Sequence, residues 1–167
     1  EQQEYMYCNN THKVPDRIVS ISQPYVRPIV RGKAKEPTEF GAKLDLSIDN
    51  DFARIEKLSF ETYNESEVLI GAIEQYFKRN GYYPKRVLAD KIYRTRDNTA
   101  YCKLHGIRLS GPALGRPKKD PKADKKIEYE DAVERIEVER AFSLAERRFG
   151  LGLLTTRLES TIKSSIV

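Results

Sequence analysis

Two acidic residues sit where a sequence can place chemistry: Asp90 and Glu139. Asp90 closes the run Arg86-Val87-Leu88-Ala89, a short apolar stretch that reads as a strand buried on both faces. Ligands of open sheets collect outside the carboxyl ends of such strands, where an aspartate cannot be packed away as core. The same residue could open a turn or cap for Lys91-Ile92-Tyr93, and spacing alone leaves both readings open. Glu139 lies between Val138 and Phe142, at the border of the apolar face of a long helix, where a carboxylate can reach under the helix towards a sheet. Arg135, four residues earlier, and the adjacent Arg140 allow the simpler reading of a solvated ion pair. Asp45 is a third acid, placed opposite Leu44, Leu46 and Ile48 on an alternating strand, where solvation is the simpler expectation; Asp49 and Asp51 read as turn residues. Cys8, Cys102, His12 and His105 form no soft-ligand cluster. Carboxylates without soft partners suit Mg²⁺ or Mn²⁺, and two such ions can clamp the attacking and leaving oxygens of a phosphodiester.

A polyanion held beside carboxylates needs converging positive charge. The chain carries a net charge of +5, a weak sign alone because 25 acidic residues offset 30 basic ones. Arg27, Arg31, Lys33 and Lys35 surround Gly32, and a second basic stretch contains Arg116, Lys118 and Lys119. Each reads either as a solvated loop or as a loop that grips phosphates.

These residues need a scaffold. At 167 residues the chain is sized for one domain, and 39% apolar content is enough for a core. No apolar run is long enough for a membrane span, and no secretory signal opens the chain. It starts without Met and stops inside an apparent helix, so a piece of a longer protein is expected. Two distant cysteines suit a reducing cytoplasm.

Residues 1–40, with prolines at 15, 24, 28 and 37, read as an irregular, Pro-rich basic segment. Residues 41–110 read as strand, strand, helix, strand, helix, strand: a hairpin around Asp49-Asn50-Asp51, a helix from Asn64 to Gly81, the strand ending at Asp90, a short helix capped by Asp97 and closed by Gly106, and a strand at Ile107-Leu109. This order predicts an α/β fold, a mixed sheet with flanking helices. Residues 111–127 read as a mobile basic loop, and residues 128–167 as helical, with Val138, Ala141, Phe142, Ala145 and Phe149 on one face.

Several stretches together are more specific. They are Arg17–Ala34, Glu39–Leu44, Tyr63–Glu67, Leu88–Arg94, Gly106–Pro117 and Val138–Ala145. In this order they resemble the C-terminal part of a bacterial insertion-sequence transposase of the DDE class, over essentially the whole chain. The resemblance implies an RNase H-like fold lacking its first strand. It also implies two Mg²⁺ (or Mn²⁺) ions in the complete site, and cutting and joining of double-stranded DNA at transposon ends and target. Asp90 and Glu139 are the implied catalytic and metal-binding residues. Arg135, Arg27, Arg31, Lys33, Arg116, Lys118 and Lys119 are the implied DNA contacts. Arg135 and Glu139 keep the family's spacing, whereas Ala132 stands at its Tyr position and Glu146 at its Lys position. The family's first Asp has no match before residue 40, and Asp45 is a poor substitute. The chain alone is therefore expected to be inactive. It is expected to act on DNA in a bacterial cytoplasm, with a homodimer allowed. A DNA-binding remnant of a decayed transposase, or an RNase H-like nuclease that cuts without joining, are the rival readings.

Overall fold

The computed structural model describes residues 1–30, 38–111 and 122–167. The chain is mixed α/β, with short sheets and helices, and it divides into two compact units. The first comprises Glu1–Leu44, Leu58–Tyr63 and Leu153–Val167. The second comprises Asp45–Lys57 and Asn64–Gly152.

The first unit opens with helix α1 (Gln2–Cys8), where an irregular segment was expected. The prolines explain the difference, since none occurs before Pro15. Strands β1 (Pro28–Val30) and β2 (Thr38–Phe40) pair antiparallel, Pro28 opposite Phe40 and Ile29 opposite Glu39. Val26, Phe60 and Ile162 form the core, with Tyr25, Ala42, Leu154 and Ile166 packed on it. Tyr25 meets Phe60 edge-on at 4.8 Å and donates to the Arg157 carbonyl at 2.6 Å, so its polar tip is satisfied while its ring is covered. Ile162 belongs to helix α5 (Glu159–Ile166).

In the second unit the predicted element order holds. Strands β3 (Lys43–Asp49) and β4 (Phe52–Ser59) form the hairpin, of which Asp45–Lys57 belongs to this unit. Its turn residues Asn50 and Asp51 both adopt positive φ, +49° and +68°, as a tight two-residue hairpin turn requires. A 3-10 turn at Glu65–Glu67, capped by Asn64, leads into helix α2 (Val68–Asn80). Strands β5 (Arg86–Val87) and β6 (Arg108–Leu109) pair parallel, with helix α3 (Arg96–Leu104) between them. Leu69, Ile73, Cys102 and Ile107 are buried at the centre, and Val87, Ala89, Tyr93 and Leu109 pack on them. The strand expected to run up to Asp90 stops at Val87, and Val87, Leu88 and Ala89 are half-buried, not enclosed on both faces. The hairpin and the β5–β6 pair are separate two-stranded sheets in place of one continuous mixed sheet. The α3 cap is Thr95, whose hydroxyl accepts from the Asn98 N–H at 3.2 Å; Asp97 falls two residues too late for the role and lies in the first turn.

Helix α4 (Lys122–Arg148) begins at Lys122, earlier than the expected Glu128, because no proline follows Pro121 and the lysines and alanine there are good helix formers. Val138, Ala141, Phe142 and Ala145 are partly covered, but Phe149 lies past the helix end and is 71% exposed. Among the described residues no helix is long and apolar enough to cross a membrane.

Gly81 ends α2 with φ +77°, and a Cβ placed there would meet nothing within 4 Å. Gly81→Ala should therefore cost only the left-handed backbone penalty, about 1–2 kcal/mol, read as a lower urea midpoint with unchanged m value.

Candidate active site

The carboxyl end of β5 is fixed from several directions. The Ser110 hydroxyl accepts from the Ala89 N–H at 2.9 Å and donates to the Ala89 carbonyl at 3.0 Å, closing the ladder beyond Val87. The chain then turns. Asp90 adopts extended backbone angles and caps a 3-10 turn, Lys91–Tyr93, its Oδ1 accepting from the Lys91 N–H at 2.6 Å. Of the two sequence readings of Asp90, the turn cap is the one observed; β5 itself stops at Val87, three residues earlier. Arg94 donates to the carbonyls of Leu109 and Ser110 at 2.8 and 2.7 Å, tying that turn to the end of β6. Asn98, only 3% exposed, donates to the Tyr93 and Ser66 carbonyls at 2.7 Å each. The Tyr93 hydroxyl donates to Asp45 Oδ1 at 2.6 Å.

Asp45 is accordingly buried, at 8% exposure, and not a solvated strand position. The hydrogen bond from Tyr93 offsets the cost of taking it out of water.

Helix α4 is pinned beside the strand pair by charge. Arg86 and Arg108 are register partners on β5 and β6. Arg108 forms a two-pronged pair with Asp131 at 2.6 and 2.7 Å, and Arg86 forms one with Glu134 at 3.0 and 2.7 Å. Asp131 and Glu134 are three apart, so one helix face meets both arginines. One residue further, Arg135 Nη1 lies 3.2 Å from Asp90 Oδ1. As the chain runs from Arg86 in β5 to Asp90 beyond it, α4 runs from Asp131 to Arg135 alongside. Glu139 follows on the same side, about 6 Å further along the axis. Asp90 is 67% exposed at its side chain, and Glu139 is exposed. The clamp was not legible as a set, because Asp131 and Glu134 lie among many charges on a helix; the one available signal was their spacing of three.

Asp131 is 5% exposed, and the Arg108 guanidinium holds its carboxyl below the ordinary aspartate range against the opposing effect of burial. The same bond raises Arg108. A depressed carboxylate pKa contributes stability that is present above the unfolded value near 4 and is lost as pH falls through the lower folded value. Asp131→Asn should therefore be less stable than wild type at pH 7, with the gap closing below about pH 4. Urea midpoints across pH check this, and a gap independent of pH would contradict it.

Comparison with known families bears directly on this arrangement. Residues 87–167 match the transposase DDE domain family. The match covers just under half of the chain and agrees with the resemblance read from the sequence. No curated protein and no solved structure gave a match. The DDE segment contains Asp90, Asp131, Arg135 and Glu139.

Of the implied DNA contacts, Arg135 is engaged with Asp90 and half-exposed. Arg27 is turned onto the chain, its guanidinium bonded to the Pro24 carbonyl and 3.8 Å from Glu61. Arg31, Lys33, Arg116, Lys118 and Lys119 lie outside the described residues. Among the described residues no group of three or more His, Cys, Asp or Glu side chains is placed to hold a metal ion.

Proposed function

We propose that this chain is part of a DDE transposase with an RNase H-like catalytic domain, which cuts double-stranded DNA at transposon ends and joins it to a target. The observation that supports this most is the meeting of Arg135 with Asp90 at the end of a parallel strand pair, one helical turn before Glu139, within the segment that matches the DDE family.

Asp90 and Glu139 offer the hard oxygen donors that Mg²⁺ or Mn²⁺ requires. Asp90 Oδ1 is used by Lys91 and Arg135, and among the described residues Oδ2 has no partner. The fit is partial: two carboxylates, with a third ligand to come from outside the described set, as the family's first Asp would. Bound there, divalent ions would activate the attacking oxygen and stabilise the leaving one. The chain's own contribution is positioning. The Ser110 and Arg94 bonds fix where Asp90 leaves the strand, and the Arg86–Glu134 and Arg108–Asp131 pairs set how far α4 carries Glu139 past it. Arg135 balances the Asp90 charge and presents a guanidinium where phosphates would approach.

The test is incubation of the intact transposase with end-containing duplex DNA and Mg²⁺. Nicking followed by joined products supports the proposal. DNA bound but never cut supports a non-catalytic remnant, and cutting without joining supports a nuclease.

A further inference from the structure

The first unit holds a cavity of about 620 Å³ that uses none of the residues of the Asp90 site. That volume falls within the range of small-ligand sites. Its wall is held in shape by Gln2, whose side-chain amide accepts from the Ile18 N–H at 2.9 Å and donates to the Ile18 carbonyl at 3.2 Å, tying α1 to the segment that follows. Arg17 closes that segment on itself by reaching the His12 carbonyl at 3.5 Å. On the other side, the cross-strand pair Pro28 and Phe40 lines the cavity. Strand alternation puts Thr38 and Phe40 on this face and Glu39 on the other, where its register partner Ile29 is buried at 5% exposure.

The lining combines two chemistries. His12, Lys13 and Arg17 supply three side chains that carry or can take positive charge, and among the described residues no carboxylate lines the cavity or pairs with Lys13 or Arg17. Phe40 presents a ring that is 61% exposed, beside Ile18 and Val19, themselves 50% and 38% exposed. A large aromatic face left in water next to cations that pair with no carboxylate among the described residues fits a ligand that is flat and apolar at one end and anionic at the other. A nucleotide in duplex DNA has its base covered by stacking and pairing, whereas an unpaired one can lay its base on a ring while cations hold its phosphate.

We infer that this cavity binds an unpaired nucleotide of single-stranded DNA, the base stacked on Phe40 and the flanking phosphates held by Lys13 and Arg17. It would keep separated strands apart without taking part in the chemistry.

The experiment uses the 167-residue chain and fluorescent twelve-nucleotide oligothymidylate, in EDTA so that no cleavage can occur. Phe40→Ala should weaken binding roughly tenfold or more, while Phe40→Tyr should retain it. Phe52→Ala, which removes a ring that is 67% exposed on β4, should bind as wild type. The double variant Lys13→Ala/Arg17→Ala should lower the salt dependence of log affinity by roughly one to one and a half. Wild-type affinity in Phe40→Ala overturns the inference. So does a blunt twelve-base-pair duplex whose affinity depends on Phe40 as strongly, since stacking would then not be selecting an unpaired base. Because binding is read without metal, a transposase that fails to cut DNA leaves this result standing, and the converse also holds.

Discussion

On the proposed function, Asp90→Asn in the intact protein is expected to lower Mg²⁺-dependent nicking of end-containing DNA by more than about a hundredfold, with DNA affinity nearly unchanged. The size follows from removing one preorganised charge from a centre that, on this proposal, works by charge neutralisation. The substitution is chosen to separate chemistry from folding. Asparagine keeps the carbonyl oxygen that accepts from the Lys91 N–H, so the cap on the 3-10 turn survives. The lost ion pair with Arg135 involves a 67% exposed carboxylate, so its removal costs at most about 1 kcal/mol. Glu139→Gln should match Asp90→Asn in effect, and the double variant should be little worse than either single one, because two groups that serve one ion fail together. Glu146→Gln, two turns further along α4, should cut DNA within a fewfold of wild type. If Asp90→Asn nicks at the wild-type rate, the carboxylate at the end of β5 is a turn cap and nothing more.

What could be read from the sequence and what could not divide along a physical line. Local chemistry was legible. Asn50 and Asp51 take the left-handed angles that their types permit, Gly81 ends α2 in the same region of backbone space, and Asp90 caps the turn that follows its strand. Long-range pairing was not. Asp45 alternates with leucines and so reads as solvent-facing, but Tyr93, forty-eight residues away, supplies the hydrogen bond that lets it be buried. Asp131 looks like one more charge on a polar helix until Arg108 is seen across from it. Sheet continuity was misread for a related reason. Alternation and apolar runs identify strands but do not say which strands share a ladder, and β5 and β6 extend only two residues each before side chains such as Ser110 take over the hydrogen bonding. Glu139 occupies the middle ground. Its helix was legible, whereas the arginine pairs that hold the preceding turns of that helix, at Asp131 and Glu134, were not.

Ile73→Ala is expected to destabilise the protein by about 2–5 kcal/mol, the range for emptying a fully packed site. Ile73 is 3% exposed and touches the cluster of Leu69, Cys102 and Ile107, which joins α2, α3 and the residue leading into β6. Cys102, at 1% exposure, has its thiol pushed up by burial and packs there as a small hydrophobe. The cavity left by alanine would border residues that matter for the site. Ala89 and Tyr93, which flank Asp90 in sequence, pack against this same cluster. Amide exchange at Lys91 and Tyr93 should therefore speed up more than the change in global stability accounts for, as the turn opens locally. Ile73→Val should cost only about 0.5–1.5 kcal/mol, because it removes one methyl from the same place. Ile92→Ala tests the opposite case: Ile92 lies inside the Asp90 turn but is 51% exposed, so its truncation should change stability by no more than about 0.5 kcal/mol. If Ile92→Ala proves as costly as Ile73→Ala, the turn is held by its own side chains. The packing of α2 and α3 beneath it would then not be what places Asp90.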